Sequence, residues 1–576
     1  MRGNMFVFLQ CGIVTFFIVL ADGIPQPQKS DNFWEQEDQT FWRASGNLEI
    51  ERMLKVKPNY NLAKNVIILV GDGMGINTVS VSRIYKGQKN GNSGEEEQLA
   101  WERFPVSGLS KTYNTNRQVP DSAGTATALF TGVKTRMGFM GVDSRPAYNE
   151  CDSDVYERSK LKSMLHWAQE AGKETGIVTT TRITHATPGS LYSHVTNRDF
   201  ESDSDLGEDI RGQCQDIAHQ LIHNEAGQKA KVIFGGGKRN FVPQKDQGRR
   251  VKNNLIDEYK AMKGQKNQVY SVLENTMDLE NWTQQDNQDY VLGLFAMSHM
   301  SYEVDRDTSP KGQPSLSQMA TAAVNRLAKS PTGFFLMVES GRIDHAHHET
   351  NAFRALDEAY ELDKTVAEIL SNPNINLDET LIIVTADHSH SMTFNGYPKR
   401  GNSIFGYVYE PKDEKNQQYS EYADGTRRAY STISYANGDG FHNHFTGDQI
   451  VPWKDLTTMD VENVDYLQPA MMPGPGGDES HGGEDVGIYA QGPMAHLLSG
   501  VHEQNFIAHA MAYASCVGDY ADKCDRRASL SPQEIQADGY VSPNEKSSAQ
   551  GHPIRSHWTL SLGTLIVGTC ALSVLV

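Results

Sequence analysis

The sequence predicts an α/β protein: a mostly parallel central sheet between helix layers, with an inserted subdomain. Three observations carry that expectation. Short apolar runs recur, at 65–70 (N-V-I-I-L-V), 176–180 (G-I-V-T-T), 231–237 (K-V-I-F-G-G-G), 334–338 (F-F-L-M-V) and 381–385 (L-I-I-V-T). None shows the polar–apolar alternation of a half-exposed strand, so each reads as a strand buried on both faces. Between the strands lie stretches with helical spacing, most clearly Phe353, Leu356, Ala359, Leu362, Val366 and Ile369. Lastly, the runs end in Asp, Glu or His, and the carboxyl edge of such a sheet is where ligands bind.

The fourth run organises the rest, reading F-F-L-M-V-E-S-G-R-I-D-H-A-H-H-E from Phe334 to Glu349. Glu339 stands where the apolar run stops. A helix beginning near Asp344 puts Asp344 and His348 one turn apart on one face, a spacing that suits a zinc ion. The first strand delivers Asp72 into G-D-G-M-G, where the glycines allow a tight turn. The strand at 176–180 leads to His185 and Thr187, and Arg198 follows in T-N-R-D. The strand at 381–385 ends in Asp387 and His388, and His481 precedes a further strand at Val486–Ala490. Ser122 opens a run of small residues after Asp121. A serine there reads as an N-cap, or as a nucleophile favoured by the helix dipole.

Asp72, Thr187, Glu339, Asp344, His348, Asp387, His388 and His481 offer more oxygen and imidazole than one metal can use. Two zinc ions and one magnesium ion would absorb these ligands, and the chemistry expected of them is displacement at phosphorus.

Composition bounds the reading. The chain has 576 residues, 38% hydrophobic and 22% charged, the profile of an ordinary globular protein. A net charge of −19 argues against specific nucleic-acid binding. Residues 1–23 read as a secretory signal, with an apolar stretch from Phe6 to Leu20 behind Arg2. At the other end, small residues near Ser547 and Ser548, a polar spacer and an apolar tail without a basic residue after it form a GPI-attachment signal. A C-terminal transmembrane anchor is the rival, but it would usually keep Lys or Arg beyond the tail. The expected layout is a core at 24–398 and 473–525, an insertion at 399–472, a linker at 526–548 and a removable propeptide at 549–576. That places the mature chain on the outer face of the plasma membrane. Outside the removable ends remain Cys151, Cys214, Cys516 and Cys524; short spacing favours 516–524, leaving 151–214. Asn281 lies in a glycosylation sequon. Residues 32–57 read as a helix whose aromatics either pack on the core or dock on a second subunit.

These motifs resemble the animal alkaline phosphatases from about residue 35 to about 525. The matching stretches are G-D-G-M-G, P-D-S-A-G-T-A-T-A, H-A-T-P, V-E-S-G-R-I-D-H-A-H-H-E, T-A-D-H-S-H and H-G-G-E-D-V. The resemblance implies a phosphomonoesterase with Ser122 as nucleophile and Arg198 as phosphate clamp. It implies one zinc on Asp344, His348 and His481, another on Asp72, Asp387 and His388, and magnesium on Asp72, Thr187 and Glu339. His185 and His345, with His390 as a further candidate, fall in the surrounding layer. A homodimer is implied too, with 399–472 as a crown subdomain. Sulfatases carry a C-x-P-x-R-type nucleophile, absent here, and related diesterases typically use threonine.

One departure from the family is visible. Vertebrate members hold a calcium ion with carboxylates, one of which follows the Phe of G-L-F-E. This chain reads Gly293-Leu294-Phe295-Ala296, has Gln313 before Pro314, and has a basic segment at 244–250. No calcium is expected there.

Overall fold

The computed structural model describes residues 37–523, apart from 286–288, 409, 414, 415, 419, 422–426 and 448–452. The expected signal at 1–23, Cys524, the linker 526–548 with Ser547 and Ser548, and the tail 549–576 lie outside the described residues. Among those described, no helix is long and apolar enough to cross a membrane.

Among the described residues, ten strands form one sheet: β1 (Asn65–Gly71), β2 (Val106–Lys111), β3 (Glu174–Arg182), β4 (Val232–Gly236), β5 (Tyr270–Leu273), β6 (Tyr290–Leu294), β7 (Phe334–Ser340), β8 (Thr380–Ala386), β9 (Val486–Gln491) and β10 (Gly500–Glu503). Their order is β10-β2-β9-β8-β1-β7-β3-β4-β6-β5. Neighbours run parallel except at β9, which is antiparallel to both β2 and β8. The expected mixed, mostly parallel α/β sheet flanked by helices is what the chain forms. Every residue of β1, β7 and β8 is buried, which is why their sequences are continuously apolar. Truncating a core residue such as Ile67, fully buried, to alanine costs about 2–5 kcal/mol.

Register brings the edge residues together. Val70 lies beside Glu339 on one side and Thr385 on the other, and Glu339 lies beside Thr179. Asp72, Glu339 and Asp387 therefore leave adjacent strands at one edge. Because β9 runs the other way, its amino end meets the same edge and brings His481 there.

The helices that matter for the site are α1 (Gln39–Lys55), α2 (Ile76–Lys89), α3 (Ser122–Thr131), α4 (Leu316–Leu327), α5 (Arg342–His348), α6 (Ala352–Ser371) and α7 (Phe506–Ser515). Asn351 caps α6 by accepting from Arg354 N at 3.0 Å, and the apolar face read from 353–369 is buried except for the half-buried Phe353. In α1 no residue is buried, and Trp42 is 56% exposed. Of the two readings of its aromatics, packing on the chain's own core is not the one observed.

The stretch 238–315 also contributes to the sheet. It supplies β5 and β6, strands of four and five residues. In 399–472 the described residues include short antiparallel pairs, such as Tyr407–Val408 with Tyr430–Ser431. A small cluster of Ala429, Leu456, Val461 and Tyr466 forms its own core there. Cys151 and Cys214 are joined as a disulfide. Asn281 is exposed on a helix, Thr276–Thr283, whose Trp282 faces inward.

Candidate active site

Ser122 is the first residue of α3, and Asp121 is its cap, accepting from Gly124 N at 3.1 Å. The capping role that the sequence offered to Ser122 thus belongs to its neighbour. All ten residues of α3 are buried, and from Ser122 to Ala128 they are only Ser, Ala, Gly and Thr. A Cβ on Gly124 would come within 2.6 Å of the Asn114 amide. Ser122 Oγ is left 3.1 Å from His388 Nε2.

Around that contact the strand ends converge. His388 Nε2 lies 3.2 Å from Asp387 Oδ2 and 3.5 Å from Asp72 Oδ1. Backbone N–H groups of Gly73 and His388 donate to Asp387 Oδ1 at 3.0 and 2.9 Å, fixing that carboxylate. Gly73 has a φ of 71°, and a Cβ there would strike the His390 ring at 2.5 Å. Both conditions explain a glycine after Asp72.

A second group centres on Asp344. Its Oδ1 is 3.4 Å from His348 Nε2, 3.2 Å from His481 Nε2 and 2.7 Å from His390 Nε2. His348 Nδ1 donates to Glu479 O at 2.5 Å and His481 Nδ1 to Pro120 O at 2.8 Å. Those carbonyls leave each Nε2 with a free lone pair, aimed at a common point beside Asp344. The i, i+4 relation of Asp344 and His348 on α5 is as expected.

The third group is oxygen-rich. Glu339 Oε2 accepts from Thr179 and Thr181, while Glu339 Oε1, Thr187 Oγ1 and both oxygens of Asp72 are buried without a well-formed hydrogen bond. A buried carboxylate with two unpartnered oxygens is costly unless a cation completes it. The charge distribution repeats that demand. Burial, then the nearby carboxylates Asp387, Asp344 and Glu339, push Asp72 well above the usual carboxylate range. Burial raises Glu339 to about 7 and Asp387 to about 6. His388 is pushed well below the ordinary imidazole range, chiefly by burial and then by His481, so its ring is neutral and can act as a ligand. The donor set fits divalent cations: imidazole and carboxylate for two, hydroxyl and carboxylate for a harder third.

Arg198 reaches the same cavity, its Nη1 donating to Asp121 Oδ2 at 3.1 Å and its Nη2 to His185 Nε2 at 3.2 Å. His185 and His345 have ring centroids 5.4 Å apart.

Three participants escaped the sequence reading. Asp121 ties Arg198 to the start of α3. His299 stands 4.2 Å from the His345 ring and 5.2 Å from the His185 ring, in a segment that carried no strand-end signal. Glu479 holds His390 and was hidden in a glycine-rich loop. Burial works against charge on His390, but the Glu479 and Asp344 carboxylates prevail and raise it to about 10.

Near Arg249 and Arg250 the carboxylates are already answered. Arg250 Nη1 donates to Asp216 Oδ1 at 2.8 Å and its guanidinium lies 3.6 Å from Asp203. Arg249 pairs with Asp205, and Arg182 with Glu201 at 2.5 Å.

A parallel sheet whose carboxyl edge gathers buried carboxylates, imidazoles and a serine at a helix N-terminus defines a hydrolase built around cations. The family model described as alkaline phosphatase matches residues 63–517. The chain is 40% identical over 532 residues to the tissue-nonspecific alkaline phosphatase of Homo sapiens, covering 89% of this chain and 95% of that one. It is 40% identical over 527 residues to alkaline phosphatase 4 of Drosophila melanogaster, covering 85% and 84%. Among solved structures, Thermus thermophilus alkaline phosphatase shares the fold with a TM-score of 0.53 at 24% identity, over 80% of this chain and 93% of that one. The chain belongs to the alkaline phosphatase family, and with it to the phosphomonoester hydrolases.

Proposed function

We propose that this protein hydrolyses phosphate monoesters to alcohol and inorganic phosphate through a phosphoserine intermediate at Ser122. The observation that carries the reading is Ser122 Oγ, at the N-terminus of a buried helix and 3.1 Å from the neutral His388 imidazole. Asp344, His348 and His481 would hold one zinc ion, and Asp72, Asp387 and His388 another. Asp72, Thr187 and Glu339 would hold magnesium; a variant of the alkaline phosphatase from the Antarctic bacterium TAB5 is described with Mg bound in its M3 site. Bound there, the cations supply Lewis acidity that lowers the hydroxyl pKa of Ser122 and offsets charge on the phosphate oxygens.

The chain's own groups do the rest. Ser122 Oγ attacks phosphorus in line, and the ester oxygen departs as the alcohol. The dipole of α3 favours the serine alkoxide and the phosphate that approaches it. Arg198, steadied by Asp121 and His185, donates to two non-bridging oxygens as charge grows on them. Water then attacks the phosphoserine from the opposite side, releasing phosphate and restoring Ser122.

The setting belongs to the same reading. The apolar tail and its spacer support a GPI anchor and a place on the outer cell surface. The exposed aromatic and aliphatic side chains of α1 support a homodimer. Arg249 and Arg250, paired with Asp203, Asp205 and Asp216, offset most of the negative charge that calcium would need there.

The test is rapid quenching with a labelled aryl phosphate, alongside an aryl diester. Label trapped on Ser122 and strong preference for the monoester are expected. Label on another residue, or a faster diester reaction, overturns the reading.

A further inference from the structure

We propose that the catalytic cavity carries a second anion subsite, formed by Arg117 and Arg136, that selects phosphomonoesters whose leaving group bears a second phosphate. This rests on the phosphomonoesterase reading and adds a substrate class to it.

The cavity holds about 680 Å3, and its lining includes Ser122 and Arg198 together with Arg117 and Arg136. The two arginines sit on turns bound to each other and to the nucleophile helix. Met137 N donates to Asn116 Oδ1 at 2.9 Å, linking the turns beside both arginines. Asn114 Nδ2 donates to Asp121 Oδ1 at 2.9 Å, and Gly138 N donates to Asp121 Oδ2 at 3.1 Å. Asp121, the cap of α3, thus fixes both arginine-bearing turns relative to Ser122.

Neither guanidinium is neutralised within the described residues. Arg117 Nη1 donates only to Asn116 O, at 3.2 Å. Arg136 Nη1 donates to Pro146 O at 3.0 Å, and its guanidinium rests 5.0 Å from the Phe139 ring centroid. Buried Arg250 and half-buried Arg182 meet carboxylates, whereas exposed Arg117 and half-buried Arg136 do not. Of the carboxylates on the cavity lining, Asp121 is paired with Arg198 and Asp344 is ringed by histidines; Asp199 is the one that opposes an incoming anion. Two guanidiniums against one carboxylate leave a positive wall in a chain of net charge −19. Guanidinium forks of this kind recognise phosphate oxygens bidentately.

The chemistry is unchanged by the subsite. The bond between the reacting phosphorus and the ester oxygen breaks, and the Ser122 O–P bond forms. The ester oxygen leaves with the electron pair and is protonated by water. The second phosphate departs on the alcohol, untransferred.

The experiment compares propane-1,3-diol bisphosphate with propyl phosphate, which share the reacting ester. Wild-type holoenzyme is measured beside an Arg117→Gln, Arg136→Gln double variant and a double Lys variant. The expected result is a wild-type kcat/KM ratio favouring the bisphosphate beyond its statistical factor of two, shrinking as salt is added. In the Gln variant that ratio falls about tenfold, carried by KM, and Lys restores most of it. Equal ratios in wild type and Gln variant would overturn the subsite while leaving the phosphomonoesterase reading intact. No phosphate release from either substrate by wild type would overturn both.

Discussion

His390 Nδ1 lies 2.5 Å from Glu479 Oε2, while its Nε2 lies 2.7 Å from Asp344 Oδ1. A buried, protonated imidazole thus joins a glycine-loop carboxylate to the carboxylate at the centre of the second cluster. Such outer contacts fix the direction of a ligand's lone pairs. Glu479→Gln keeps the size but removes the charge that holds His390 protonated. Zinc affinity should fall about 10- to 100-fold, read by competition with a chromophoric chelator. Unchanged affinity would show that Asp344 is positioned by its helix alone.

Ser122→Ala should abolish the labelled phosphoenzyme and most monoesterase activity, whereas Arg198→Ala should hurt less. The clusters would still hold the phosphate when one donor pair is gone. Steady-state and single-turnover rates on an aryl phosphate test the ranking, and an equal loss in both variants contradicts it.

His194 gives a pH prediction away from the cations. Burial lowers it to about 4, and its Nε2 donates to Leu161 O at 2.9 Å. The unfolded chain binds that proton near 6.5, so stability is complete above 6.5 and lost as pH falls towards 4. The loss is at most about 3 kcal/mol. His194→Gln keeps a donor without the titration. Thermal unfolding at pH 7 and at pH 4.5 should show wild type losing more than the variant.

Arg250 is 4% exposed and bound to Asp216 and Asp203. Removing it strands buried carboxylates, so Arg250→Ala should cost about 3–5 kcal/mol. Adding calcium should leave the Tm of wild type unchanged in scanning calorimetry. A calcium-dependent rise, or anomalous scattering from calcium within 240–315, would contradict this.

The membrane prediction needs no purification. A phosphatidylinositol-specific phospholipase should release the protein from intact cells, with a mature end near Ser547 or Ser548. Continued attachment with Trp558–Val576 retained would favour a transmembrane anchor.

The strands at 65–70, 334–338 and 381–385 were legible because burial on both faces leaves an unbroken apolar run. Asp72, Glu339, Asp387 and His388 were legible because each follows such a run. Asp344 and His348 were legible because helical spacing fixes i and i+4 on one face. Each of these signals is local, a matter of neighbours in the chain. Strand β5 gave no such signal, being four mostly half-buried residues at the edge of the sheet, and the buried run of β6 is interrupted by Gly293. His299 and Glu479 were invisible because their roles depend on residues distant in sequence: His299 on His185 and His345, Glu479 on His390, 89 positions away. Whether Ser122 caps α3 was likewise open until Asp121 was seen accepting from Gly124 N, with Arg198, 77 residues further on, bound to the same carboxylate. Sequence alone determined which residues could leave a strand end with charge or a lone pair. Only the parallel register, which sets Val70 beside both Glu339 and Thr385, decided that those groups share one dry edge. There, burial without countercharge makes cations the remaining means of satisfying them.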